Sequence, residues 1–244
     1  MDSVTSSLLI SPENFANIMG VSKATLQKWE ASGRYVPDVT KGSHRFFSAQ
    51  SLKHVEVVRH MLETRWEEEM LIRPLRPYTS IELFAGAGGL ALGMEKAGFH
   101  HILLNEQDHD ACRTLLANRP DWHVVEADIH KVSFEMYRSK VDLLTGGFPC
   151  QAFSYAGKQG GFEDTRGTLF FELARAVREV QPKVFMAENV RGLVAHDGGR
   201  TLDTIRNVIK ELGYTLIEPR ILRAIMYQVP QKRERLILVA VRND

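Results

Sequence analysis

The chain reads as an α/β protein, a mostly parallel sheet wound on both faces by helices, preceded by a smaller module of different pattern. Three observations predict this. From Tyr78 onward, short apolar runs alternate with stretches of helical periodicity. A glycine-rich turn, Ala85-Gly86-Ala87-Gly88-Gly89, separates the first of those runs from the first of those helices. Before Tyr78 the chain instead shows short capped helices and a glycine-marked hairpin, and the prolines of Arg73-Pro74-Leu75-Arg76-Pro77 mark a linker over 73–77.

The first module spans 1–72. Ser11-Pro12 opens an amphipathic helix running to Met19, with serine as cap and proline in the first turn. Gly20-Val21-Ser22 turns the chain, and Ser22 caps a second helix carrying Lys23, Thr25, Lys28 and Trp29. Gly33 to Pro37 and Gly42 to Phe47 read as a small β-wing, followed by a helix over Ser48 to Glu67. Two short helices joined by a tight turn are a helix-turn-helix signal. With the wing, these residues resemble the winged helix-turn-helix of the mercury-resistance regulator and excisionase group. The resemblance implies that Lys23, Thr25, Lys28, Arg34, Lys41 and Arg45 meet DNA. A structural module whose helices only pack on the catalytic domain or a partner remains the alternative. His44 reads as a wing surface residue, because no second metal ligand lies near it.

In the second module, 78–244, strands are expected near 79–84, 101–105, 123–126, 141–145, 184–187, 215–221 and 235–241. Helices are expected near 88–98, 108–118, 168–180 and 199–213. The last two apolar runs, Tyr214 to Leu222 and Leu236 to Val241, should close the sheet edge as a hairpin-like pair. Ligands of such sheets bind at the carboxyl ends of the strands. There the glycines let a ligand press against the backbone beside a helix N-terminus. Glu106 ends the second strand, where a ribose diol is gripped in folds of this type, and Asp128 follows the third. Two acids in phase behind a glycine-rich turn favour a cofactor that carries a nucleoside.

The most informative word is Gly146-Gly147-Phe148-Pro149-Cys150-Gln151, directly after the apolar run Val141 to Thr145. Proline fixes its own backbone angle and the glycines accept angles that other residues resist, so the thiol of Cys150 is lifted out of the sheet at a defined angle. That placement suits a nucleophile better than a core filler. Cys112 is the other cysteine, which argues against a disulfide framework or a cysteine metal cluster.

Taken in order, these words resemble the DNA (cytosine-5) methyltransferase family from about Tyr78 to Val241. The resemblance implies a Rossmann-like S-adenosylmethionine-dependent methyltransferase domain. Its cofactor pocket would comprise Phe84, Ala85, Gly86, Gly88, Gly89, Leu90, Glu106, Gln107, Asp128, Ile129, Pro149 and Leu169. Cys150 would attack carbon-6 of cytosine, and Glu188 would bond and protonate ring nitrogen 3. Glu188 is expected at the end of the apolar strand Val184 to Ala187, where desolvation raises a carboxyl pKa toward the proton-donor range. Arg235 would hold the cytosine and Arg233 support the site, both within Gln231-Lys232-Arg233-Glu234-Arg235. The target atom lies inside a duplex, so the family flips the base into its pocket. The glycine-rich stretch from Ser154 to Asp164 matches the loop that closes over it, with Gln151, Ser154, Lys158 and Gln231 as DNA contacts.

Composition frames these readings. The 244 residues, 44% hydrophobic and 25% charged, suit a globular protein with one good core and a small extra module. No apolar run approaches the roughly 18 residues of a membrane span, and two cysteines fit a reducing cytoplasm. The net charge of +1 means that contact with DNA must come from local patches. In complete members of the family a target-recognition region and further motifs follow the position of Val241. The expectation is therefore the catalytic subunit of a split restriction-modification methyltransferase, with a second polypeptide supplying recognition. A truncated chain is the alternative. Two other function classes stay open: a DNA-binding regulator with an accessory methyltransferase half, and an RNA cytosine-5 methyltransferase.

Overall fold

The computed structural model describes residues 8–63, 66–69, 71–149, 169–227, 229, 231 and 233–244. They form two compact units, one of 1–72 with 222–234 and one of 73–221 with 235–244.

In the first unit, β1 (Leu9–Ile10) precedes α1 (Pro12–Met19) and α2 (Lys23–Ala31). The serine caps act as their positions suggest. Ser11 Oγ accepts from the Asn14 N–H at 3.1 Å, and Ser22 Oγ from the Thr25 N–H at 3.1 Å. Strands β2 (Val39–Lys41) and β3 (His44–Ser48) pair antiparallel as the wing, and β1 adds to the other side of β3. The helix expected over Ser48 to Glu67 is instead α3 (Glu56–Leu62) and α4 (Trp66–Glu69). Asp38 is the reason for the late start. Its carboxylate accepts from the Ser48 N–H at 2.7 Å and from both the Ser48 and Ser51 hydroxyls, which holds that stretch in turns.

The second unit is built on β4 (Tyr78–Leu83), α5 (Gly89–Lys96), β5 (Phe99–Glu106), α6 (His109–Asn118), β6 (Val124–Glu126) and β7 (Leu143–Gly146). It continues through α7 (Leu169–Val180), β8 (Val184–Val190), α8 (Arg200–Glu211), β9 (Tyr214–Leu216), β10 (Arg220–Arg223) and β11 (Glu234–Arg242). The sheet order is β10-β11-β8-β7-β4-β5-β6, with β9 also on β11. Strands β4 to β8 run parallel, and β11 is antiparallel to β8 and β9. The chain leaves β4 toward β5 on one side and returns to β7 on the other. The crevice between the ends of β4 and β7 is thus the switch point at which open α/β sheets bind ligands.

Core and helices agree with this order. Buried Phe170, Leu173, Val177 and Val180 share one face of α7, a 3.6-residue spacing, and pack with Leu144 and Phe185 of the sheet. The strand expected over 215–221 is broken into β9 and β10, with Pro219 between them where a ladder N–H would be needed. The 73–77 stretch packs within the second unit. Pro74 lies against Gly98, and Arg76 donates to Asp142 at 2.6 Å while stacking 4.1 Å over the Tyr78 ring. Residues 222–234 depart from the division expected from sequence, which gave all of 78–244 to the catalytic part. They group with the first unit, because Ile225 is buried in its core.

Candidate active site

At the end of β4, Phe84 adopts a left-handed backbone (φ 56°), which turns the chain out of the sheet. Gly86 and Gly88 continue the turn at φ 53° and 87°, into the start of α5. Gly88 has no room for a side chain: a Cβ there would lie 2.7 Å from Leu115 Cδ2 and 3.3 Å from Trp122 Cζ3. Around Gly86 the space is open.

Glu106, the last residue of β5, ties that turn to the sheet. Its Oε2 accepts from the Gly86 N–H at 2.7 Å, and its Oε1 from the N–H groups of Gln107 and Asp108 at 2.8 and 2.9 Å. A carboxylate oxygen has two lone pairs, so acceptor capacity remains on the cleft side. The cleft is lined by Phe84, Asn105, Glu106, Gln107, Ala127, Ile129, Pro149 and Leu169. Six of these are sequence-predicted, and the structure brings them together. Ala85, Gly86, Gly88, Gly89, Leu90 and Asp128 are not in that lining. Asp128 instead caps the turn Ile129–Lys131, accepting from the His130 N–H at 3.0 Å, and the neighbouring imidazole holds its carboxyl below the usual range.

Asn105 and Ala127 were not singled out from sequence. Asn105 is buried, and its side-chain amide donates to the Val125 and Ala127 carbonyls at 3.2 and 2.9 Å, fixing the end of β6. An asparagine inside an apolar run was the available signal.

On the other side of the switch point, β7 ends at Gly146 and the chain passes Gly147, buried Phe148 and exposed Pro149. Cys150, Gln151, Ser154 and Lys158 lie outside the described residues, as does the expected loop. The backbone leading to Cys150 is nonetheless held. Buried Asn189 donates from Nδ2 to the Phe148 carbonyl at 2.8 Å, and the Phe148 ring packs 5.4 Å from Phe170.

Glu188 does not end its strand. It lies within β8 because the ladder to β11 continues as far as Arg235↔Val190. Ile237 stands opposite Glu188, so Arg235 is its diagonal neighbour on the same face, and Arg235 Nε donates to Glu188 Oε1 at 2.8 Å. The other carboxylate oxygen would be 3.4 Å from a Cβ on Gly147, so the acid leans over the glycine before Phe148. Arg233 and Gln231 are exposed, and both belong to the first unit.

Cys112 contrasts with the position of Cys150. It is buried on α6, donates to the Glu106 carbonyl at 3.6 Å, and burial pushes its thiol pKa up, away from the reactive thiolate. Among the described residues, no group of three or more His, Cys, Asp or Glu is placed to hold a metal ion. No helix among them is long and apolar enough to cross a membrane.

In the first unit, Lys23, Lys28, Arg34, Lys41 and Arg45 are exposed and Thr25 is half-buried. Three of these side chains are held in place, Thr25 by a 2.9 Å bond between its hydroxyl and that of Ser22. Arg34 stacks 4.7 Å over Trp29, and Arg45 pairs with Glu30 at 3.0 Å.

Residues 78–244 match the family model for C-5 cytosine-specific DNA methylases. The chain belongs to that family. Residues 10–67 match the model for MerR helix-turn-helix regulatory proteins. The Type II methyltransferase M.Eco47II of Escherichia coli is 59% identical over 230 residues, covering 94% of this chain and 55% of that protein. M.PspPI of a Psychrobacter strain is 54% identical over the same shares. Matches of that length exceed the whole of 78–244, so they run into the N-terminal unit. The chain spans about half the length of these relatives. Nothing in these relatives supports the expected second polypeptide. Among solved structures, the Dnmt2 methyltransferase of S. pombe superposes with a TM-score of 0.54 at 22% identity, over 69% of this chain and 51% of that one, a likeness of fold.

Proposed function

We propose that this chain carries the catalytic half of a DNA cytosine-5 methyltransferase of a restriction-modification system, with S-adenosylmethionine as methyl donor. The observation that carries the reading is the pairing of two features across one switch point. A cleft with an aromatic ring, apolar walls and a strand-end carboxylate faces it from β4 and β5, and a carboxylate–guanidinium pair faces it from β8 and β11.

The cleft suits an adenosine. Phe84 offers a ring face, Ile129, Pro149 and Leu169 offer apolar walls, and Glu106 offers oxygens to a ribose diol. Gly86 leaves room beside the backbone for the remainder of the cofactor. When bound, S-adenosylmethionine supplies an electrophilic methyl group.

The protein's own groups do the rest. The Cys150 thiolate adds to carbon-6 of an extruded cytosine, while Glu188 hydrogen-bonds and protonates nitrogen 3, which makes carbon-5 nucleophilic. Arg235 holds Glu188 in place and has further donors for the cytosine carbonyl. Asn189, by fixing the Phe148 carbonyl, sets the direction in which the chain enters Pro149-Cys150. Once carbon-5 carries the methyl group, loss of its proton to a water, departure of the thiolate and return of the nitrogen 3 proton to Glu188 restore the ring. Gln151, Ser154, Lys158 and Gln231 are read as DNA contacts, and Arg233 as a support of the site. On the first unit, Lys23, Thr25, Lys28, Arg34, Lys41 and Arg45 are read as phosphate contacts.

Tritiated methyl transfer tests the reading. The purified protein should label duplex DNA and not transfer RNA, and Cys150→Ser should abolish labelling. Labelling of RNA in preference to DNA would contradict the proposal.

A further inference from the structure

The core of the N-terminal unit is completed by a residue from far along the chain. Ile225 is buried with Phe15, Phe47, Val55, Val58 and Met61, and Met226 packs against the same cluster. Both lie in the short helical turn Ala224–Tyr227, between β10 and β11, which meets α3. The turn is closed at its base. The Ala224 N–H donates to the Arg233 carbonyl at 2.9 Å, and Arg223 pairs with Glu234 at 3.0 Å. Gln231 and Arg233 therefore belong to a loop whose foot is seated in the apolar core of the winged unit. Nothing in the cofactor cleft calls for this. The cleft residues all lie in the other unit.

We infer that Ile225 is a positioning residue through which the winged unit holds Gln231 and Arg233 ready for the substrate. The inference rests on the reading of Gln231 as a DNA contact and of Arg233 as a support of the site. A polar side chain on an untethered loop must be ordered when DNA binds, and that ordering weakens binding; a loop seated in a core has already lost this freedom. The winged unit then contributes to substrate engagement through its interior as well as through its surface cations. Losing the seat should weaken DNA binding, leave the cofactor untouched and speed exchange over 223–235 without speeding it over 23–45, a split that destabilisation of the winged unit would not give.

The test compares Ile225→Ala and Ile225→Val in the full chain by hydrogen exchange, duplex anisotropy and S-adenosylmethionine calorimetry. Ile225→Ala should speed exchange over 223–235 and weaken affinity for a cytosine-containing duplex about tenfold, the scale of one lost charge-assisted contact. Cofactor affinity should stay within about twofold, and Ile225→Val should restore most of the loss because it keeps most of the buried volume. Val58→Ala, from the α3 side of the same cluster, should loosen the same 223–235 stretch if Ile225→Ala does not fold. Unchanged exchange over 223–235, or unchanged duplex affinity in a folded Ile225→Ala protein, would overturn the inference. If the unsubstituted protein fails to bind S-adenosylmethionine, the reading of the cleft fails, and the exchange comparison still decides the seat.

Discussion

Two carboxylates, both placed by what donates to them, divide the work at the scale of the residue. Glu106 takes three backbone N–H bonds and so joins the glycine-rich turn to β5, with one acceptor site on Oε2 left for a ribose hydroxyl. Its loss should act on the cofactor twice, by removing the ribose acceptor and by releasing the turn. Glu106→Ala is expected to weaken S-adenosylmethionine binding by tenfold or more, about 1.5–3 kcal/mol, as read by calorimetry. Glu188 is held by Arg235 instead of by backbone. Glu188→Gln keeps the size and shape of the side chain but removes the proton donor. Methyl transfer should fall by about 10²–10⁴ with cofactor affinity little changed, which single-turnover labelling beside calorimetry would show. Both acids were legible as candidates in the sequence, because acids at the ends of apolar runs stand out. Asn189 was not legible as a support. Only a tertiary contact reveals that its amide reaches back to the Phe148 carbonyl.

Among the elements, β4 and α5 are joined by more than the glycine-rich turn. Glu82 on β4 is 1% exposed, receives the Thr145 hydroxyl at 3.4 Å, and is also bonded by the backbone of Ala91 in α5. The Ala91 carbonyl in turn accepts from His101 Nε2 at 2.8 Å, and Ser80 bonds the other ring nitrogen at 2.9 Å. A register shift in the β4–β5 ladder falls at this point, as bulges do where a side chain is re-aimed. Burial pushes the Glu82 carboxyl up to about 8, so the folded protein keeps a proton that the unfolded chain releases from its ordinary value of 4.5. Stability contributed by Glu82 is therefore full below about pH 4.5 and falls as pH rises to about 8. Glu82→Gln should flatten that fall, so urea midpoints at pH 5 and pH 8 should differ less than in the unsubstituted protein. An equal or larger difference would count against a buried neutral carboxyl. Gly88→Ala should cost about 1–3 kcal/mol of stability in the same assay, from a strained φ and a clash with Leu115. Alternating apolar runs made the parallel strands readable from the sequence. Element ends were less readable, because Asp38 delays the helix after the wing and β11 prolongs β8 beyond Glu188.

The whole molecule is two units interleaved in sequence, and the interleaving is what periodicity alone could not show. Ile225 lies between the strands expected over 215–221 and 235–241, yet it completes a core built from residues more than 150 positions earlier. The relatives' matches extend over both units, so the winged part accompanies the methylase part in them as well. The account holds that the two sides of one switch point bring a cofactor and a cysteine to the same cytosine. Mass spectrometry of the protein incubated with S-adenosylmethionine and a 5-fluorocytosine duplex tests this most directly, because fluorine at carbon-5 blocks the final elimination. The account predicts a denaturation-stable DNA adduct on the peptide containing Cys150, absent from Cys150→Ala. An adduct that persists in Cys150→Ala, or that maps to Cys112, would contradict it.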